Sequence, residues 1–171
     1  MADEPGYAKF KLDPLTARMS IVSTSDTQPP IYATAESLSA AVSEFPTSNT
    51  VPVEVAGLLS VASKLLVASV LQYEFAAVAM EKALQGVELA VRIRLDSTSA
   101  RVKLFGLIDK LLDLPGFAQA DIDRLHDMRK MRNIFAHPKE AAALPLVMCV
   151  GWVRFCSEVI VEIFDQPDSS E

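Results

Sequence analysis

The sequence predicts an all-α antiparallel helical bundle preceded by an irregular N-terminal arm. Three observations carry that prediction. Half of the 171 residues are hydrophobic but only 7% are aromatic, and Ala, Val and Leu predominate, as in helix-packed cores rather than sheets. Beyond residue 52 the apolar positions recur at three-and-four spacing. Prolines, a Pro-Gly pair and Ser/Thr clusters divide these runs at lengths suited to helices. The length allows one domain. Residues 1–50 are expected to form an arm with a short helix, 51–166 the bundle, and 167–171 a disordered tail.

Residues 1–6 are polar and expected to fray. From 7 to 31, Pro14, Pro29, Pro30 and the run S-T-S-D-T-Q break any periodicity. One or two extended pieces are expected there, with Phe10, Leu12, Met19, Ile21 and Val22 available to dock. Thr34 is a suitable N-cap for a short helix carrying Leu38, Ala41, Val42 and Phe45 on one face. P-T-S-N-T-V-P, residues 46–52, reads as a linker.

The apolar-periodic run 53–95 is too long for one ordinary helix, so a break is expected between Val67 and Gln72. In its second part Phe75, Val78, Ala79, the stem of Lys82, Leu89 and Ile93 are expected to face the core. Gly86 in mid-helix costs about 1 kcal/mol relative to alanine, which calls for another helix passing close by. D-S-T-S, residues 96–99, ends this helix and caps the next. That helix, 100–112, is expected to turn Val102, Phe105, Ile108, Leu111 and Leu112 inward.

Leu114-Pro115-Gly116 turns the chain. The following helix places Ile122, Leu125, Met128, Arg132 and Phe135 on one face, with His126 facing solvent. Pro138 disfavours the α conformation in His137, so the helix should end at or near that residue. Pro145 opens a last helix, to about Phe164. It is apolar on most sides, as expected for a helix buried in a bundle or dimer, with Met148, Trp152 and Phe155 read as core.

The net charge of −6 argues against a general nucleic-acid binder. The charges are unevenly spread, however. Residues 1–91 carry 5 basic and 10 acidic side chains, 92–139 carry 10 and 6, and 140–171 carry 1 and 6. A net-positive middle third in an acidic chain is a local surface suited to phosphate. No apolar run reaches the ~18–20 residues of a membrane span, and no secretory leader is read at the N-terminus. Cys149 and Cys156, seven apart on one helix, sit about 10 Å apart, beyond disulfide reach. Reduced, buried thiols suit a cytoplasmic protein. No Cys/His spacing suggests zinc and no glycine-rich phosphate loop is present, so no metal or cofactor is expected. The surplus apolar surface, with a mean hydropathy of +0.25, is expected to lie in a homodimer interface.

The stretch R-N-I-F-A-H-P, residues 132–138, holds an arginine and a histidine five apart with a polar residue after the arginine. It resembles the signature of the HEPN superfamily, the higher eukaryotes and prokaryotes nucleotide-binding domains. The preceding L-I-D-K-L-L helix and Pro-Gly turn, and the upstream F-A-A-V-A-M-E-K-A-L-Q-G-V-E-L-A-V-R-I-R-L, are similar to the superfamily's other helices. The resemblance covers residues 58–164. It implies a HEPN-like bundle in which Arg132 and His137 are catalytic and cleave RNA without metal, the site being completed by a homodimer. Asn133 would orient the imidazole or a phosphate, and Arg129 and Lys139 would contact backbone phosphates.

The chemistry suits those residue types. A neutral imidazole, ordinarily titrating near pH ~6.5, can take the proton of a ribose 2′-hydroxyl. A guanidinium can hold two phosphoryl oxygens and stabilise charge building in the transition state. The resemblance further implies roles in stress response, toxin–antitoxin pairing or phage defence, with an antitoxin or defence-system partner. Lys139 stands where one toxin subgroup has its modified tyrosine, so that subgroup's assignment does not carry over. The rival reading is a non-catalytic dimerisation or nucleotide-binding scaffold, with Arg132 paired to a carboxylate such as Glu81 or Glu88.

Overall fold

The capping signals of the first helix are realised as read. In the computed structural model, which describes residues 12–21, 31–95, 103–136 and 144–165 and only the backbone of 132–136, Thr34 accepts from the Ser37 amide at 3.0 Å. Ser37 returns a bond to the Thr34 amide at 2.9 Å. This capping box satisfies two orphan donors at once and starts α1, Ala35–Ser43. The helices that follow are α2 (Val53–Ala68), α3 (Phe75–Arg94), α4 (Leu104–Asp109), α5 (Gln119–Ala136) and α6 (Leu146–Asp165). The protein is all-α: no strand occurs among the described residues, only one isolated antiparallel bridge, Ser20 with Tyr32.

The described part of the arm is bound to the helices. The Asp13 carboxylate accepts from the amides of Leu15 at 2.8 Å, Thr16 at 3.1 Å and Tyr73 at 3.0 Å. These bonds hold its pKa below the ordinary carboxylate value, the Tyr73 amide contributing most. The buried Thr16 hydroxyl donates to the Ser69 carbonyl at 2.8 Å. The arm therefore clasps the turn between α2 and α3, which lies at the expected break in the long apolar run.

α3 lies between α2 and α6 and packs most extensively on those two. The short turn makes α2 and α3 antiparallel. The Tyr73 hydroxyl, just before α3, donates to the Leu144 carbonyl, just before α6. Gly86 later meets Ile160, so α3 and α6 run in the same direction. A Cβ on Gly86 would come within 3.2 Å of Ile160 Cδ1, 3.7 Å of Leu58 Cβ and 3.8 Å of Leu59 Cδ2. This is the close approach that a mid-helix glycine called for.

The face α3 presents differs from the expected one. It buries Ala76, Ala79, Met80, Ala83, Leu84, Gly86, Val87, Ala90 and Val91. Phe75, Val78 and Ile93 remain 36%, 40% and 41% exposed. Small residues win the interior because α3 is flanked on two sides, and alanine and glycine let both neighbours approach. The larger apolar side chains are displaced to the outer face.

α4 also departs from expectation. Leu107, Ile108 and Leu111 are buried, but Phe105 and Leu112 are 52% and 44% exposed. The helix tightens into a 3-10 turn at Lys110–Asp113. At three residues per turn Leu111 stays over Ile108 and Leu112 rotates off the face. Val102 and the D-S-T-S cap lie outside the described residues.

Gly116 turns the chain at φ 85°, a left-handed conformation that glycine takes without strain. α5 then buries Ile122, Leu125 and Met128 as its periodicity required. The Pro145 carbonyl accepts from Met148 and Cys149 at the start of α6. Within α6 Cys149 and Cys156 are buried and free, and burial pushes the Cys149 thiol up to about 12. Phe155 is buried and Trp152 partly so, whereas Met148 stays 37% exposed. No helix among the described residues is long and apolar enough to cross a membrane.

Candidate functional site

α5 is the element that positions the candidate site. It starts two residues after the Phe117 end of the Pro-Gly turn, where Asp121 accepts from the Ala118 amide at 3.0 Å. It is held by Ile122, Leu125 and Met128, all essentially inaccessible. Its backbone is helical from Gln119 through Ala136, and the expected helix end at His137-Pro138 lies outside the described residues. Arg132 and Asn133 sit in the last described turns of this helix. Their side chains lie outside the described residues, as do His137 and Lys139 altogether. Of the two acidic residues on α3 considered as partners for Arg132, Glu88 is paired with Arg92 at 2.8 Å. Glu81 accepts from Gln85 at 3.3 Å.

Arg129, the one candidate whose side chain is described, belongs to a different constellation. Its guanidinium carbon lies 5.3 Å from the centre of the Phe105 ring. His126, one turn earlier on α5, stacks on the same ring with centroids 4.7 Å apart and planes inclined by 28°. Its Nε2 is 2.9 Å from Asp109 Oδ1. The expectation that His126 faces solvent is therefore corrected. Its side chain is only 13% exposed, because α4 folds back along α5 and brings Phe105 and Asp109 against it. Because a carboxylate only accepts, Nε2–H is the donor in this pair. His126 Nδ1 and Arg129 Nε are buried and have no hydrogen-bond partner among the described residues.

Phe105, Asp123, His126, Asp127, Arg129 and Lys130 line an open cleft of about 400 Å³. Lys130 pairs with Asp127 at 2.9 Å, and Asp123 accepts from Gln119 at 2.9 Å. The cleft thus has an aromatic wall and mixed polar groups. On the other side of α5 the character changes. Arg124 lies 3.9 Å over the Phe155 ring, beside a groove lined by Asp121, Glu158 and Glu162. The two sides of one helix therefore offer different chemistry, one acidic and one mixed.

Sequence reasoning missed Phe105, Asp109 and His126 as a group. The i,i+4 spacing of Phe105 with Asp109 and the i,i+3 spacing of His126 with Arg129 were available. Their juxtaposition was not, since it depends on how the Pro-Gly turn folds α4 onto α5. No group of His, Cys, Asp and Glu among the described residues is arranged to hold a metal ion. No protein-family model matches this chain, and no curated protein or solved structure is significantly similar to it.

Proposed function

We propose that the protein is a HEPN-type endoribonuclease that acts without a metal and as a homodimer. What supports this reading is the run R-N-I-F-A-H-P, residues 132–138, which begins on α5. The backbone is helical through Ala136, so Arg132 stands on α5 and His137 follows it in the sequence. Pro138 disfavours the α conformation in His137, and outside helical geometry, in which positions five apart lie roughly 140° apart around the axis, the imidazole can approach the guanidinium. Arg132 and His137 can then address one phosphodiester.

In this mechanism the His137 imidazole accepts the 2′-hydroxyl proton while the 2′-oxygen bonds to phosphorus. The bond from phosphorus to the 5′-oxygen breaks, and that oxygen takes a proton from solvent, to which the imidazolium then returns its own. Arg132 holds the non-bridging oxygens as charge builds on them. The products are a 2′,3′-cyclic phosphate and a 5′-hydroxyl. Asn133 and Lys139 position the phosphate backbone. The exposed Phe75, Val78 and Ile93 of α3 support a second copy packing on the outer face of that helix. A role in stress response, toxin–antitoxin pairing or phage defence, in the cytoplasm and with a cognate partner, belongs to the same proposal.

The test is cleavage of single-stranded RNA in excess EDTA, with end-group analysis of the products. The wild-type chain should cleave, and His137→Ala should not, while its thermal melt stays within a degree or two. Cleavage that requires magnesium, or that survives His137→Ala, sinks the mechanism. The overall charge of −6 and the acidic groove beside Phe155 favour a second reading, a dimerising scaffold without activity. That reading holds if the intact wild-type dimer neither cleaves nor binds RNA.

A further inference from the structure

We infer that the cleft between α4 and α5 is a base subsite, in which Phe105, His126 and Arg129 receive one unstacked nucleobase of a single-stranded RNA. The inference rests on the ribonuclease reading for the polymer that carries the base, but its test does not require cleavage.

The composition of the cleft selects the ligand class. A bare phosphate would meet the carboxylates of Asp123 and Asp127 in the lining, with Asp109 bound to His126 behind them. A simple cation would meet Arg129 and Lys130. A planar, neutral heterocycle with both donors and acceptors on its edge suits all of these groups. Unstacked RNA bases are held on aromatic rings and guanidinium planes in this way. Phe105 supplies the ring and remains 52% exposed, with the imidazole of His126 stacked at 4.7 Å and the guanidinium of Arg129 at 5.3 Å. Asp123 and Asp127 offer acceptors for an amino-bearing edge, as carboxylates do for cytosine N4. A volume of about 400 Å³ falls in the ~300–1,000 Å³ range of small-ligand sites.

Position connects the cleft to the proposed reaction. Arg129 precedes Arg132 by three residues on α5, about 4.5 Å along the helix axis at ~1.5 Å per residue. A base seated on Phe105 therefore places its own or the adjacent phosphodiester near the Arg132 turn of α5. The acidic groove on the other side of α5 disfavours the strand there.

The experiment uses the full chain carrying His137→Ala, so that RNA is not consumed. Fluorescence anisotropy reports binding of a labelled single-stranded octaribonucleotide and of an abasic ribose-phosphate octamer. The ribonucleotide should bind more tightly than the abasic strand. Adding Phe105→Ala should weaken it roughly tenfold, the scale of one lost base–aromatic stack, and bring the two strands level. Phe105→Tyr, which keeps the ring, should retain the affinity. Circular dichroism melts of each variant establish that the folded protein is being measured.

Unchanged affinity in folded Phe105→Ala overturns the subsite. So does adenosine monophosphate binding as tightly as the octamer, which would make the ligand a free nucleotide. A Phe105→Ala variant that loses only its dimer on sedimentation assigns the face to a second copy of the chain and also overturns it. RNA binding through Phe105 without wild-type cleavage would keep the subsite and remove the enzyme. Cleavage with affinity independent of Phe105 would do the converse.

Discussion

Three helix-interior glycines provide an internally controlled test of the packing around α3. Gly57 in α2 and Gly151 in α6 have no atom, beyond their chain neighbours and the adjacent turns of their own helix backbone, within 4 Å of where a Cβ would stand. Replacing either with alanine should stabilise the protein by about 0.8–1 kcal/mol, the helix-propensity difference. In a chain of this size that is a rise of ~2–4 °C in melting temperature. Gly86→Ala receives the same propensity gain. Its new methyl, however, stands 3.2 Å from Ile160 Cδ1, on a side chain that is fully buried. That terminal methyl must retreat by a few tenths of an ångström.

Overpacking a well-filled core costs about 1–3 kcal/mol. One tight contact with the end of a side chain belongs at the low end, so the net change for Gly86→Ala should be near zero. Gly86→Leu drives three further carbons towards Leu58, Leu59 and Ile160 and should cost about 3 kcal/mol or more. Urea denaturation at 25 °C with a common m-value separates these outcomes. If Gly86→Ala stabilises as much as Gly57→Ala, α3 and α6 do not approach as described and the argument fails. If Gly57→Ala or Gly151→Ala is destabilising, that face is covered by another surface.

The remaining predictions concern the site, the arm and the assembly. Arg132→Lys keeps the charge but loses the planar two-pronged donor, so cleavage should slow on the order of a hundredfold with RNA affinity little changed. A destabilised Arg132→Lys protein whose folded fraction is fully active would make Arg132 structural instead. Asp13→Asn should lower stability at pH 7 by about 1 kcal/mol, as for a lost capping carboxylate. Because folding depresses the Asp13 pKa below 3.8, that contribution is complete above the unfolded value and disappears as pH falls through the folded one. Melts of wild type and variant should therefore converge below about pH 4, and a constant gap down to pH 2 would contradict this. Sedimentation equilibrium at micromolar concentration should give a dimer, and a clean 18.6 kDa monomer would count against both the dimer and a composite site.

Local physics is what the sequence by itself determined. Thr34 as an N-cap, the break between Val67 and Gln72, the turn at Leu114-Pro115-Gly116, and the buried Ile122, Leu125 and Met128 each follow from a few adjacent residues. Hydrophobic periodicity and backbone sterics act over one or two turns, so they are legible without the fold. The proximity of a second helix to Gly86 was legible for the same reason, since an uncompensated glycine in a helix has a cost that some contact must offset.

Only the tertiary structure decided which face of α3 is interior. A helix between two neighbours is selected for closeness, and the alanine stripe outcompetes the larger Phe75, Val78 and Ile93. Periodicity counts apolar residues but does not count neighbours. Tertiary structure likewise decided that His126 meets Phe105 and Asp109, residues 21 and 17 positions away, because a 3-10 end on α4 and a Pro-Gly turn set the angle at which α4 returns along α5. A histidine's partners across such a turn are fixed by that angle, and no spacing within either helix encodes it.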